Sequence, residues 1–186
     1  MEMRTKESVV LVYTGDGKGK TSAGLGTLVR SLGAGQRAAF IQFIKEWSVS
    51  EHEFLGSIAP IYGNRLLFEK GGKGFYNAGE QSAKGVSNDE HITAAQATYD
   101  IAVEVASSGE YDLVVLDEIN NAVVDGLLTT DDLRKLILGR ATMTSLCLTG
   151  RNFPSELVEY ADIVTEMKEE KHHFHDGYLA KEGIDF

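Results

Sequence analysis

The span Gly15-Asp16-Gly17-Lys18-Gly19-Lys20-Thr21-Ser22 carries the densest chemistry in the chain. Glycine at alternate positions lets the backbone curl until its N–H groups converge on an anion. Lys20 adds a mobile positive charge, and the Thr21 hydroxyl can meet a Mg²⁺ ion that bridges phosphates. A helix starting at this point would turn the positive end of its dipole toward the same anion. The arrangement is that of a phosphate-cradling loop, G-x-x-x-x-G-K-[ST], with one departure: Thr14 stands where that pattern has its first glycine. The plain alternative is an ordinary glycine-rich turn from strand to helix.

A second signal lies about a hundred residues on. Leu113-Val114-Val115-Leu116 is a short apolar run that ends in Asp117-Glu118, the form of a buried strand carrying carboxylates to a sheet edge. Beside Thr21, either carboxylate could hold Mg²⁺ directly or through water. The residues alone leave open which acid does so, and an acidic pair after a strand can also be a helix cap or a solvated turn. Loop and carboxylates together indicate a nucleotide with Mg²⁺, without choosing among kinase, hydrolytic motor and transferase.

These residues need strands and helices to bring them together, and the spacing supplies them. Val9 to Thr14 predicts a buried strand leading into the loop. Leu25, Leu28, Val29 and Leu32 then recur at helical spacing over residues 21–34, before Gly33 and Gly35. Residues 38–44 suit a strand covered on both faces. Between 45 and 90 glycines interrupt every period, so this region is expected to be loop-rich apart from a strand at 65–69. A helix over 88–108 follows, then the strand ending at Asp117. A short helix at 130–138, a strand at 143–149, a helix at 153–160 and a last strand at 161–167 complete the order. Such alternation predicts an α/β fold of the RecA-like P-loop kind, a mostly parallel sheet with helices on both faces and ligands at the carboxyl ends of the strands.

At 186 residues, 42% hydrophobic and 25% charged, the chain is expected to form a single domain over 1–186, soluble and globular. No stretch is long and apolar enough to span a bilayer, and the N-terminus is too short and polar for a signal peptide, so a cytoplasmic location and no membrane partner are expected. A net charge of −10 argues against nucleic acid as a partner, because phosphate backbones need a broad basic surface. Cys147 is the sole cysteine; it fits a buried strand residue and excludes an intrachain disulfide.

Beyond these signals the chain resembles, nearly end to end, the P-loop corrinoid adenosyltransferases. The likeness rests on Thr14 through Thr21, where that family also lacks the first glycine. It continues through Gln42-Phe43-Ile44-Lys45, Val114 to Glu118 and Thr149-Gly150-Arg151. The C-terminal run is its most specific part: Ala161 to Met167, Lys171-His172, Phe174 and Gly183 to Phe186.

The resemblance implies transfer of the 5′-deoxyadenosyl group of ATP to the cobalt of a reduced corrinoid, with triphosphate leaving. It implies that the nucleotide lies reversed in the loop, so that the ribose 5′-carbon meets the nucleophile. Thr14, Gly15, Asp16, Gly17, Lys18, Gly19, Lys20, Thr21 and Ser22 would hold the triphosphate, with Arg151 a further nucleotide contact. Thr21 and Glu118, with Asp117 beside them, would hold Mg²⁺. Lys20 would neutralise the leaving group. An electron-donating reductase and a homodimer are implied as partners besides the corrinoid.

Many relatives carry Gly-Phe-Thr-Trp in the middle region, whose aromatics pack on the corrin. Here Gly71-Gly72-Lys73-Gly74-Phe75-Tyr76 stands instead, making Phe75 or Tyr76 the replacement; Trp47 lies elsewhere. The cluster His172, His173 and His175 is expected to be a loop near the site and not a transition-metal centre, since no cysteine accompanies it. A phosphotransferase or ATPase would need a base after the second strand, where Glu46 and Glu51 are the candidates. A nucleotide-dependent corrinoid carrier is the other alternative.

Overall fold

The computed structural model describes residues 4–44, 49–74 and 86–185. Phe75, Tyr76, Glu46 and Trp47 lie outside them. Six strands form one parallel sheet among the described residues: β1 (Val10–Thr14), β2 (Ala38–Gln42), β3 (Leu66–Lys70), β4 (Leu113–Asp117), β5 (Ser145–Thr149) and β6 (Ile163–Glu166). Their spatial order is β3-β2-β4-β5-β1-β6, and every pairing is parallel. All the carboxyl ends therefore lie at one edge, including those of β1 and β4, which carry the loop and the acidic pair.

Apolar runs become central strands because both of their faces are covered. Val114 and Leu116 of β4 join Val12, Ile41, Leu146 and Leu148 in a core beneath α3 (Asn88–Ser107), α4 (Ile119–Val124) and α5 (Thr130–Gly139). Leu113 and Val115 face the other way, with Phe40 and Cys147, against Leu28 and Leu32 of α1 (Lys20–Gly33) and Leu55 of α2 (Ser50–Tyr62). Successive strand residues point to opposite faces, so an unbroken apolar run serves both cores. The expected α/β architecture, with helices on both faces, is what forms. The edge strand β6 is exposed along its length.

Three sequence expectations need correction. The stretch after residue 45 is less loop-rich than its glycines suggest, because α2 occupies Ser50–Tyr62 despite Gly56 and Pro60. Only His52 and Leu55 of α2 are buried, one turn apart, so its amphipathic signal is short; packing on β2 and β3 stabilises what propensity does not. Ser155–Tyr160 is a 3₁₀ helix that buries only Leu157. The strand expected from Met143 starts at Ser145, Met143 being exposed.

Elsewhere local signals hold closely. The side chains of Ser87 and Glu90 cap α3 reciprocally, and Thr129 with Asp132 do the same for α5. Cys147 is fully buried in β5. Burial, with the Asp117 charge adding to it, pushes its thiol up to about 12.

Candidate active site

The loop leaves β1 and runs against the chain that follows β6. Met167 donates its N–H to Thr14 O at 2.7 Å, and Gly17 donates to Met167 O at 2.7 Å. This approach explains two of the glycines: a Cβ at Gly15 would sit 2.4 Å from Met167 O, and one at Gly17 2.8 Å from it. Gly19, at φ +103°, turns the chain in a left-handed conformation into α1. No side chain caps α1, so its first N–H groups face the loop as an anion would need.

Lys20 is buried, and its ammonium donates to Gly17 O at 2.7 Å. Burial holds it below the usual lysine range, Glu118 pulls the other way, and Arg151 and Lys18 reinforce the depression. A partly desolvated cation among other cations is electrostatically suited to a polyanion.

Thr21 Oγ1 donates to Asp117 Oδ2 at 3.3 Å. Asp117, fully buried, also accepts from Gln42 Nε2 at 2.7 Å through the same oxygen and from Thr149 Oγ1 at 2.6 Å through Oδ1. Gln42 Oε1 in turn meets His52 Nε2 of α2. Thr149 Oγ1 accepts from the Glu118 N–H at 3.0 Å. Glu118 caps α4 at φ +63°, a left-handed conformation uncommon outside glycine, with its N–H tied to Thr149. The structure thus distinguishes the two acids: Asp117 is the interior hub, and Glu118 is the charge acting on Lys20.

Arg151 sits between two left-handed residues, Gly150 (φ +125°) and Asn152 (φ +49°). Its N–H donates to Asn121 Oδ1 at 2.6 Å, Asn120 Nδ2 donates to Gly150 O at 3.2 Å, and the Phe153 N–H donates to Thr14 Oγ1 at 3.0 Å. The threonine in place of the first loop glycine therefore ties the loop to the arginine turn. A cavity of about 440 Å³ opens here, lined by Asp16, Arg151, Glu166, Met167, Lys168 and Glu169.

The structure brings the loop, Lys20, Thr21, Asp117, Glu118 and Arg151 to the same end of the sheet. Gln42 and Thr149, quoted above only for resemblance, and His52, Asn120 and Asn121 were missed as site residues. One signal was available for Gln42, a polar side chain ending the apolar run of β2. The histidines bond within their own segment: His173 to Leu179 O at 3.0 Å, His175 to Glu169 at 2.7 Å, and His172 Nδ1 accepting from the Phe174 N–H at 3.1 Å. Among the described residues no group of three histidine, cysteine or acidic side chains is arranged to hold a metal ion. Mg²⁺ does not need such a cage, because phosphate oxygens and water complete its shell around one or two protein oxygens. The oxygen donors of Thr21, Asp117 and Glu118 fit that chemistry.

The family model for ATP:corrinoid adenosyltransferase BtuR/CobO/CobP matches residues 6–186. The chain is 32% identical over 185 residues to a corrinoid adenosyltransferase of Pseudomonas aeruginosa, covering 100% of this chain and 87% of that protein. It is 34% identical over 189 residues to one of Sinorhizobium sp., covering 100% and 84%. A corrinoid adenosyltransferase of Escherichia coli K12 is 29% identical over 187 residues, covering 100% and 89%. With the loop, the acidic pair and the arginine turn gathered at one sheet edge, and the family match running from residue 6 to the last, the chain belongs to the ATP:corrinoid adenosyltransferase family.

Proposed function

We propose that the chain transfers the 5′-deoxyadenosyl group of ATP to the cobalt of a reduced corrinoid, releasing triphosphate, in adenosylcobalamin synthesis or salvage. The observation that carries this reading is the desolvated Lys20 at the mouth of an anion-binding loop within a family match spanning residues 6–186. The electron pair of the reduced cobalt forms the Co–C5′ bond, and the C5′–O bond breaks with its pair passing to the triphosphate. No protein nucleophile is needed. The protein's task is to bind and neutralise the leaving group, which falls to the loop amides of Gly15 to Lys20, the Lys20 ammonium and Arg151.

Mg²⁺, when bound, supplies further charge neutralisation on the phosphates. Thr21 and Glu118 would hold it, with Asp117 orienting the Thr21 hydroxyl. Lys20 would leave Gly17 O for a phosphate oxygen. Phe75 and Tyr76 would offer the corrinoid an aromatic surface. A homodimer is what family membership supports; the exposed edge strand β6, with Ile163 and Val164 open to solvent, is free among the described residues to meet a second copy. Reduced cobalt needs an electron donor, for which a reductase would serve, and the supply of ATP inside the cell favours a cytoplasmic location.

Incubation with ATP, Mg²⁺ and chemically reduced corrinoid is expected to yield a light-sensitive adenosylated product and triphosphate in equal amounts. Release of ADP and phosphate alone would refute the reading and favour a phosphotransferase or ATPase. Binding of both substrates without product would favour a carrier. Lys20→Ala is expected to abolish turnover, whereas full activity in that variant would remove Lys20 from its role.

A further inference from the structure

We propose that His52 and Gln42 are positioning residues that orient the Thr21 hydroxyl toward the metal ion of the bound nucleotide, through Asp117. This rests on the reading above that Thr21 meets that ion. Gln42 ends β2 with its amide fully buried, a location that is costly unless both ends of the amide are hydrogen-bonded. The two ends are not interchangeable. The –NH₂ lies 2.7 Å from Asp117 Oδ2, so the carbonyl oxygen faces His52 Nε2. Since that oxygen can only accept, His52 Nε2 carries the proton. The opposite amide orientation would set two acceptors against each other at Asp117, so Asp117 selects the productive one and the His52 Nε2–H holds it there.

The chain of donors then runs one way, from His52 to Gln42 to Asp117, where Thr21 donates to the same carboxylate oxygen. Thr149 holds the other oxygen at 2.6 Å, so the plane of the carboxylate is clamped. A hydroxyl has one proton; with that proton directed at Asp117, the Thr21 lone pairs are turned away from the carboxylate and are available to a cation. The far end of the relay is itself anchored. His52 is buried on α2, and its ring lies against Phe68 of β3, with ring centroids 5.7 Å apart. Its role is distinct from metal ligation: it acts through two intervening side chains, as outer partners of metal ligands do.

The test uses the full-length protein with Mn²⁺ in place of Mg²⁺ and ATP without corrinoid, the fraction of bound Mn²⁺ being read by electron paramagnetic resonance. Thr21→Ala, Gln42→Met, His52→Met and His52→Gln are compared, methionine filling the space without a donor and glutamine restoring one. Gln42→Met and His52→Met are expected to weaken Mn²⁺ retention roughly tenfold, leave metal-free ATP binding unchanged, and raise the Mg²⁺ needed for half-maximal turnover while keeping kcat at saturating Mg²⁺. His52→Gln recovers most of the loss. If Thr21→Ala weakens Mn²⁺ binding but Gln42→Met and His52→Met do not, the positioning role is wrong and the Thr21 reading stands. If Thr21→Ala has no effect, the metal reading fails and the relay with it. Equal loss of metal-free and metal-bound ATP, or His52→Gln behaving like His52→Met, would also overturn the proposal.

Discussion

Thr149→Val changes almost no volume and removes one hydroxyl, which makes it a direct probe of the polar hub beneath the loop. That hydroxyl donates to Asp117 at 2.6 Å and accepts from the Glu118 N–H at 3.0 Å, in a fully buried position. Loss of a hydrogen bond to a charged group costs about 1.5–3 kcal/mol, and removing the acceptor of a buried N–H adds about 1–3 kcal/mol. The new methyl returns about 1 kcal/mol of apolar burial. The net expectation is a destabilisation of about 1.5–5 kcal/mol, or roughly 3–20 °C in melting temperature for a chain of this size. Thr149→Ser keeps the hydroxyl and loses only the methyl beside Gly24, for a cost of about 1 kcal/mol. Urea unfolding followed by circular dichroism measures both, with unchanged m-values as the check that the denatured state is the same. A Thr149→Val protein within about 1 kcal/mol of wild type, or less damaged than Thr149→Ser, would refute the assignment of this hydroxyl as the tie between β5 and the acidic pair.

Gly15→Ala places its Cβ 2.4 Å from Met167 O at a φ of +98°; ATP binding measured by calorimetry is expected to be lost, and wild-type affinity would show that the loop and the Met167 backbone are not in contact. Asp162 is held below the usual carboxylate value of 3.8 by the Lys6 ammonium and then by the Val10 N–H, with burial opposing. A carboxylate lowered in the folded state stabilises fully above its unfolded value and loses that contribution as pH falls through the folded one. Asp162→Asn is therefore expected to be less stable than wild type at pH 7, with the gap closing below pH 3.8; a constant gap in unfolding free energy from pH 7 to pH 2 would contradict this.

The parts of the site that lie close together in sequence were legible because their signal is local. Gly15 to Thr21 is a backbone conformation and a charge written into consecutive residues, and the Leu113 to Glu118 run marks its own strand and strand end. Alternation of such runs with helical spacing was enough to place both at the same sheet edge. Less legible was α2, whose inward face consists of His52 and Leu55 and whose stability comes from packing on the sheet. The segment 153–160 has too few buried residues to hold a full α-helix against the 3₁₀ geometry it adopts.

The phosphate-loop pattern and the parallel α/β architecture could be read from the residues alone, because each follows from short-range spacing and residue chemistry. Tertiary structure alone decided how the two acids differ, since Asp117 and Glu118 are adjacent in sequence yet one is clamped by Gln42, Thr21 and Thr149 and the other caps α4. It also decided the reason for two of the glycines, which yield to the Met167 backbone some 150 residues away, and the presence of His52 behind Gln42. The ties of Asp117 to Thr21, Gln42 and Thr149, and of the loop glycines to Met167, join residues far apart in the chain, and the parallel packing of β1, β2, β4, β5 and β6 brings them within reach.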